Sequence, residues 1–292
     1  MAANMKAVKL RIKSVQSTMQ ITKAMQLVAA SKLRKAKEKA DLSKPYLEVL
    51  RKTLTDIAQG NTEFHSPYTR SDDNEKWLYI VIAGDRGLAG GYNANLFKFM
   101  ESETRGRDIS VLPIGKKSVE YFKHRNVPIF TEDYAEVAKI TISECFEIGR
   151  RICEAYREGK YGHIYLCYTN FVSMLTQTPE ASSMLPLSDF ELYDQEEETE
   201  PQEKGKAREL ILYEPDSETV FDTIVPEYLA GLLYSGVNVS VASELAARRT
   251  AMEAATDNAE EMIETLSLYY NRARQASITQ EITEIVAGAE EP

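Results

Sequence analysis

Two stretches at opposite ends of this chain lack the residues that stop helices, and they constrain its fold more than any other feature. Glycine is absent before Gly60, and between Met5 and Asp56 the only proline is Pro45. At the other end no proline lies between Pro226 and Pro292, and no glycine between Gly236 and Gly288. Glycine and proline are the strongest helix breakers, so both ends should be long helices. Ile12, Val15, Met19, Thr22, Gln26, Ala29, Leu33, Ala36 and Ala40 follow alternating steps of three and four, the seam of a coiled coil, with Thr22 and Gln26 as its polar members. Val241, Leu245, Arg248, Met252, Ala255, Ala259, Met262, Leu266, Tyr269, Ala273, Ala276 and Gln280 repeat that spacing. Coming from opposite chain ends, the two helices should pack antiparallel. Pro45 is expected to kink the first helix or end it one turn earlier.

Charge supports the pairing. The net charge is −10, but residues 1–60 carry 13 Lys/Arg against 4 Asp/Glu, whereas residues 228–292 carry 4 against 10. A basic amphipathic helix suits nucleic acid, a membrane surface or an acidic partner helix. The matching periodicity favours the chain's own acidic C-terminal helix, and no nucleic-acid partner is expected. Tyr161–Pro179 is free of Asp, Glu, Lys and Arg but polar, with His163, Asn170 and Gln177, and Tyr228–Ser243 is short and holds Gly231 and Gly236. Neither makes a membrane span. The N-terminus has no apolar core of a signal peptide, and no transit peptide is evident.

Between the helices the pattern changes. Trp77–Ala83 is an apolar run followed by the glycine loop Gly84–Asn93 and a helical stretch to Glu103; Ile109–Ile114 with Lys117–Arg125 repeats the scheme. Val127–Phe130 and His163–Tyr168 read as further strands, Thr141–Glu158 as an amphipathic helix, and Asp194–Lys206 as an acidic loop before a returning edge strand at Arg208–Tyr213. The fold class is thus α/β with a long α-helical coiled coil: a Rossmann-like α/β domain over 61–215, between helices over 1–60 and 216–292.

The glycine loop sits where a dinucleotide would bind, but its glycines at 84, 87, 90 and 91 do not space as GxGxxG, and Asp85 would meet the pyrophosphate. It reads as a structural turn. Cys145, Cys153 and Cys167 read as buried thiols, and the three histidines form no metal-ligand spacing, so no catalytic, cofactor or metal residue is assigned. A nucleotide-binding Rossmann-type enzyme with a helical oligomerisation arm stays open as the alternative, as does a passive coiled-coil scaffold.

Three segments then carry a resemblance: Ile21–Ala36 (ITKAMQLVAASKLRKA), Asp85–Asn93 (DRGLAGGYN) and Tyr270–Ala289 (YNRARQASITQEITEIVAGA). They resemble the γ subunit of F-type (F1Fo) ATP synthases over nearly the full length. The resemblance implies a non-catalytic subunit: the central rotor shaft of a proton-transporting ATP synthase, coupling c-ring rotation to conformational change in the catalytic β subunits. It implies an α3β3 ring, an ε subunit and the c-ring as partners, and a peripheral place on the cytoplasmic side of a bacterial plasma membrane. By alignment, Arg274, Gln275 and Thr279 fall where the family bonds a catch loop on β, and Lys23 and Met25 at the level of β's acidic lever. Tyr213 and Glu214 fall at the foot facing the c-ring. Arg249 stands where many members carry Met, and the tail ends in Glu290-Glu291-Pro292 rather than small apolar residues. Lys32, Lys35, Lys37 and Lys39 are expected to form one cationic stripe that passes the β levers.

Overall fold

A computed structural model describes residues 2–60, 64–69, 74–187 and 212–289. In chain order the elements are α1 (Ala2–Gly60), β1 (Lys76–Ile82), α2 (Tyr92–Glu103), β2 (Asp108–Ile114), α3 (Lys116–His124), α4 (Ile142–Arg157), β3 (His163–Phe171), β4 (Gln177–Leu185) and α5 (Ser217–Ala289). The sheet order is β2-β1-β3-β4, with β1 parallel to both β2 and β3, and β4 antiparallel to β3 on the edge. Alternation along β1 sorts its side chains between two layers. Leu78, Ile80 and Ile82 face α4 and α5, where Ile148, Ile152, Phe221 and Leu233 complete the larger core. Tyr79, Val81 and Ala83 face α2 and α3 through Leu96, Met100 and Phe122.

Local signals explain the element boundaries. α4 opens with a capping box: the Thr141 hydroxyl accepts from the Glu144 N–H at 3.3 Å, and the Glu144 carboxylate accepts from the Thr141 N–H at 2.7 Å. Asp216 caps α5 by accepting from the Thr219 N–H at 2.7 Å. Gly149 lets α4 lie directly on α5, since a Cβ there would stand 2.7 Å from the Pro226 carbonyl oxygen.

The two terminal helices pair antiparallel. Thr22 meets Thr256 through a buried hydroxyl contact of 2.8 Å, and Leu47 lies against Gly231. Moving 25 residues along α1 therefore moves the partner 25 residues back along α5. At this register the start of α1 lies opposite about Ala276, and the last turns of α5 extend beyond it with no facing helix among the described residues. With 73 residues, α5 is about 110 Å long at 1.5 Å per residue. Its most apolar 18-residue window has the length and composition of a membrane span, yet 72% of that window is buried inside the protein.

Several expectations need correction. α1 runs through Pro45 rather than ending before it, while α5 runs through Pro226 as the helix expected over 216–292 requires. Pro45 is exposed, so the Asp41 carbonyl it leaves unpaired meets water, and buried or half-buried residues on both sides (Ala40, Leu47, Leu50) hold the helix together. Val127–Phe130 contributes one isolated bridge, Ile129 to Val111, rather than a strand. β4 was missed because Gln177–Leu185 is polar and holds Pro179, as an edge strand tolerates. The acidic loop Asp194–Lys206 and most of the expected strand Arg208–Tyr213 lie outside the described residues; Leu212 and Tyr213 are irregular.

The α1 seam follows the expected positions from Ile12 to Ala40 and continues through Leu54 and Ile57 into the domain core. The α5 seam keeps the expected Leu245, Met252, Ala259, Leu266 and Ala273 and departs between them. Above Met252 it runs through Thr256, Ala259, Ile263, Leu266, Tyr270 and Ala273, leaving Met262 at 44% and Tyr269 at 50% exposure. Arg248 is no seam residue at all: it turns toward the glycine loop. That interaction occupies the face on which the expected seam was centred, so α1 packs on the face beside it.

Candidate functional site

The glycine loop is a joint. Asp85 does not wait for a ligand: its carboxylate accepts from the N–H groups of Lys116 at 3.2 Å, Val137 at 3.0 Å and Ala138 at 3.2 Å. Asn93 at the start of α2 accepts from the Gly84 N–H at 2.9 Å. From the opposite side, α5 sends in three polar side chains. The Ser240 and Tyr92 hydroxyls meet at 2.6 Å in a buried contact. Glu244 lies against Gly84, and Arg248 spans the Glu244 carboxylate at 2.6 Å and the Gly87 carbonyl at 3.2 Å. Burial raises the Glu244 pKa despite Arg248 beside it. The space beyond the carboxyl end of β1, which a dinucleotide would use in a Rossmann fold, is thus filled by the chain's own carboxylates and α5. Burial likewise pushes the Cys145 and Cys153 thiols up to about 12, so both stay protonated at neutral pH and neither offers a thiolate.

The shaft presents the remaining candidates. Lys32, Lys35 and Lys39 are exposed and lie within about 60° of one another at 100° per residue, with Met25, half-buried, on the same flank. Lys37 must be removed from this stripe. It lies about 140° from Lys32, across the seam, and its ammonium sits 4.8 Å from the Phe171 ring centre on β3. Lys23 is exposed on the side away from Lys32. Arg274, Gln275 and Thr279 are all exposed near the free end of α5, where the Thr279 hydroxyl donates to the Gln275 carbonyl at 3.0 Å. At the other end of the molecule, Tyr213 packs against the larger core and Glu214 is exposed. The structure therefore spreads these residues along its length rather than gathering them into one pocket.

Sequence reasoning missed the outward apolar residues. Leu10, Ile21, Leu27 and Val28 are 54–66% exposed on α1, and Ile278, Ile282, Ile285 and Val286 are 47–71% exposed on the unpaired end of α5. The last group recurs every three or four residues, a helical stripe with no partner among the described residues. Its signal was available: an apolar period that continues after the facing helix has run out.

The sequence profile of the ATP synthase family matches residues 4–291. The ATP synthase gamma chain of Ruminococcus albus is 47% identical over 97% of this chain and 96% of its own length. The chain belongs to the ATP synthase γ chain family. The sodium-ion-specific γ chain of Acetobacterium woodii is 40% identical over 99% of both chains. The fold of this γ chain also matches a chain of the Euglena gracilis mitochondrial ATP synthase assembly of OSCP, F1 and c-ring, with TM-score 0.69 at 18% identity, covering 99% of this chain and 94% of that one. A chain of the Tetrahymena thermophila mitochondrial central stalk and c-ring superposes with TM-score 0.57 at 20% identity, over 80% of this chain and 99% of that one. As a γ chain it is a non-catalytic subunit of its complex, in keeping with a glycine loop turned inward to its own helix.

Proposed function

We propose that this γ chain is the central rotor shaft of the F1 sector of a proton-transporting ATP synthase. Its coil stands inside an α3β3 ring; its α/β domain, with ε, rests on the c-ring at the cytoplasmic face of a bacterial plasma membrane. Rotation of an asymmetric shaft favours a different conformation in each of three identical β subunits, through the difference in contact free energy that any population shift requires. The observation that carries this reading is the outward apolar surface of the projecting shaft. An exposed helix lined by Ile278, Ile282 and Ile285 is a liability in water and an asset inside a sleeve of partner subunits. Arg274, Gln275 and Thr279 then meet a loop of β, Lys23 and Met25 lie at the level of its acidic lever, and Tyr213 with Glu214 approach the c-ring.

The test is reconstitution. Co-expressed with its α and β subunits, the chain should purify in a complex that hydrolyses ATP, and Arg274→Ala with Gln275→Ala should slow that hydrolysis. Loss of charge-assisted hydrogen bonds worth about 1.5–3 kcal/mol predicts a slowing of roughly 10- to 150-fold. A chain that does not assemble with α and β refutes the shaft. Unchanged turnover in the double variant refutes the catch. ATP-driven acidification that proceeds without sodium and collapses with a protonophore would support proton coupling, and strict sodium dependence would overturn it.

A further inference from the structure

The contact between the α/β domain and α5 changes character along the helix. From Phe221 to Val237 it is mainly apolar: Phe221, Val225, Leu229, Leu233 and Val237 pack against α4 and the sheet, with Asp222 at its start accepting from Ser66 at 2.7 Å and pairing with Arg157 at 3.5 Å. Apolar packing is non-directional, so it holds the two parts together while doing less than bonded polar groups to select one angle about the helix axis. One to three turns further on, where the shaft leaves the domain, the contact becomes polar and directional. There the Glu244–Arg248 pair enters the glycine loop, with the Glu244 side chain 9% and the Arg248 side chain 15% exposed. The carboxylate reaches the loop only because residue 84 has no side chain: a Cβ there would lie 2.8 Å from the Glu244 Oε1. Arg248 closes the triangle by donating to the carboxylate and to the Gly87 carbonyl. Asp85, beside Gly84, is itself tied to Lys116, Val137 and Ala138. A turn of α5 is therefore transmitted to the ends of β1 and α3, not to a loose loop.

We infer that Glu244, Arg248 and Gly84 form the torsional joint of the molecule, positioning residues that set the angle of the α/β domain about α5 and the stiffness of the rotor there. This deepens the rotor reading and rests on it. Glu244 and Arg248 lie on the domain side of α5, away from the face that α1 covers, so their role is distinct from coil pairing. A buried ion pair is a poor source of net stability but a good source of unique geometry, as a joint that must not slip requires.

The experiment uses the assembled complex, its stator ring fixed to a surface and a probe on the α/β domain. Lys98→Cys on α2 supplies the attachment point, because Lys98 is exposed while Cys145, Cys153 and Cys167 are buried. The readout is the angular variance of the probe during each dwell, taken together with the rate of ATP hydrolysis. Glu244→Gln should widen the variance about twofold or more, since removing a charge unties a network whose members reinforce one another, with hydrolysis little changed. Gly84→Ala keeps both charges but expels the carboxylate, and should widen it similarly. Gly84→Ala added to Glu244→Ala should widen it no further, because the colliding group is gone. Arg248→Lys, which keeps the charge on a shorter side chain without the planar fork, should fall between. Unchanged variance in Glu244→Gln and Gly84→Ala overturns the joint. So does failure of these variants to assemble alongside a competent parent, which would make the triad a requirement for folding. If the parent chain itself does not enter a rotating complex, it is the rotor reading that fails.

Discussion

Glu244 illustrates how a residue can be poor for stability and still be kept by geometry. Burial raises its pKa, with Arg248 pulling the other way and losing. A carboxyl group whose folded pKa lies above its unfolded one binds more protons in the folded state. Stability from this group is therefore present at low pH, and is lost as pH rises from the unfolded pKa through the folded one. Glutamine mimics the protonated form and cannot ionise. Thermal melts of Glu244→Gln and its parent should nearly coincide below the carboxylate range, with the variant gaining relative to the parent as pH rises to 7. A variant that loses ground across that interval would show that the charged pair stabilises the fold. Residue-level reading of the sequence went furthest where backbone geometry alone decides, as at the glycine loop, which was legible as a turn. It failed at Arg248, whose spacing fits a seam but whose guanidinium found a carboxylate one turn away and a carbonyl 161 positions distant in sequence. No periodicity encodes the second contact.

Among the elements, α5 has three regimes. Its first six turns are core, buried among the sheet and α4; its middle is one half of a thin coil; its last turns are exposed and face no helix among the described residues. The coil seam is rich in alanine (Ala29, Ala36, Ala40, Ala242, Ala246 and Ala259 are buried). Each buried methyl returns under about 1 kcal/mol against roughly 1–2 kcal/mol to order a residue's backbone. Local helix hydrogen bonding must make up the difference, and it frays at ends. Backbone amides of Ile278–Val286 should accordingly exchange fast in the isolated chain, while those of Leu229–Ala246 exchange slowly. Assembly into the ring should slow the first group by orders of magnitude. Equal protection of Ile278–Val286 in free and assembled protein would contradict both the free end and the sleeve proposed to hold it. The existence and pairing of α1 and α5 were legible because a breaker-free length and a three-four period survive in any context. The polar edge strand β4 was not, since its pairing with β3 comes from neighbours rather than from its own pattern.

Taken whole, the molecule is a polarised lever with an α/β domain at one end, unpaired helix at the other and a cationic flank between. The flank is worth little residue by residue, typically up to about 1 kcal/mol for an exposed pair. Lys32→Glu, Lys35→Glu and Lys39→Glu together should lower the coupled turnover of the complex severalfold at low salt. The effect should fade near physiological ionic strength, where the Debye length is about 8 Å. Lys37→Ala serves as the contrast: it should cost up to about 1 kcal/mol through its contact with Phe171 and leave the salt dependence untouched. If the triple reversal changes nothing at low salt, the stripe is an ordinary solvated face.

Local period and the absence of helix breakers were enough to specify two long helices, their antiparallel pairing, an α/β unit between them and a glycine loop that turns the chain. The adjacent pairs Ala255/Thr256, Met262/Ile263 and Tyr269/Tyr270 left the rotational setting of α5 open, because either member of each pair can take a place in a three-four seam. Only the tertiary structure decided between them. The domain grips α5 through Glu244 and Arg248, and once that face is occupied α1 must pack beside it, carrying the seam to Thr256, Ile263 and Tyr270. Helix phase is a long-range property here, set by a contact that no window of neighbouring residues contains.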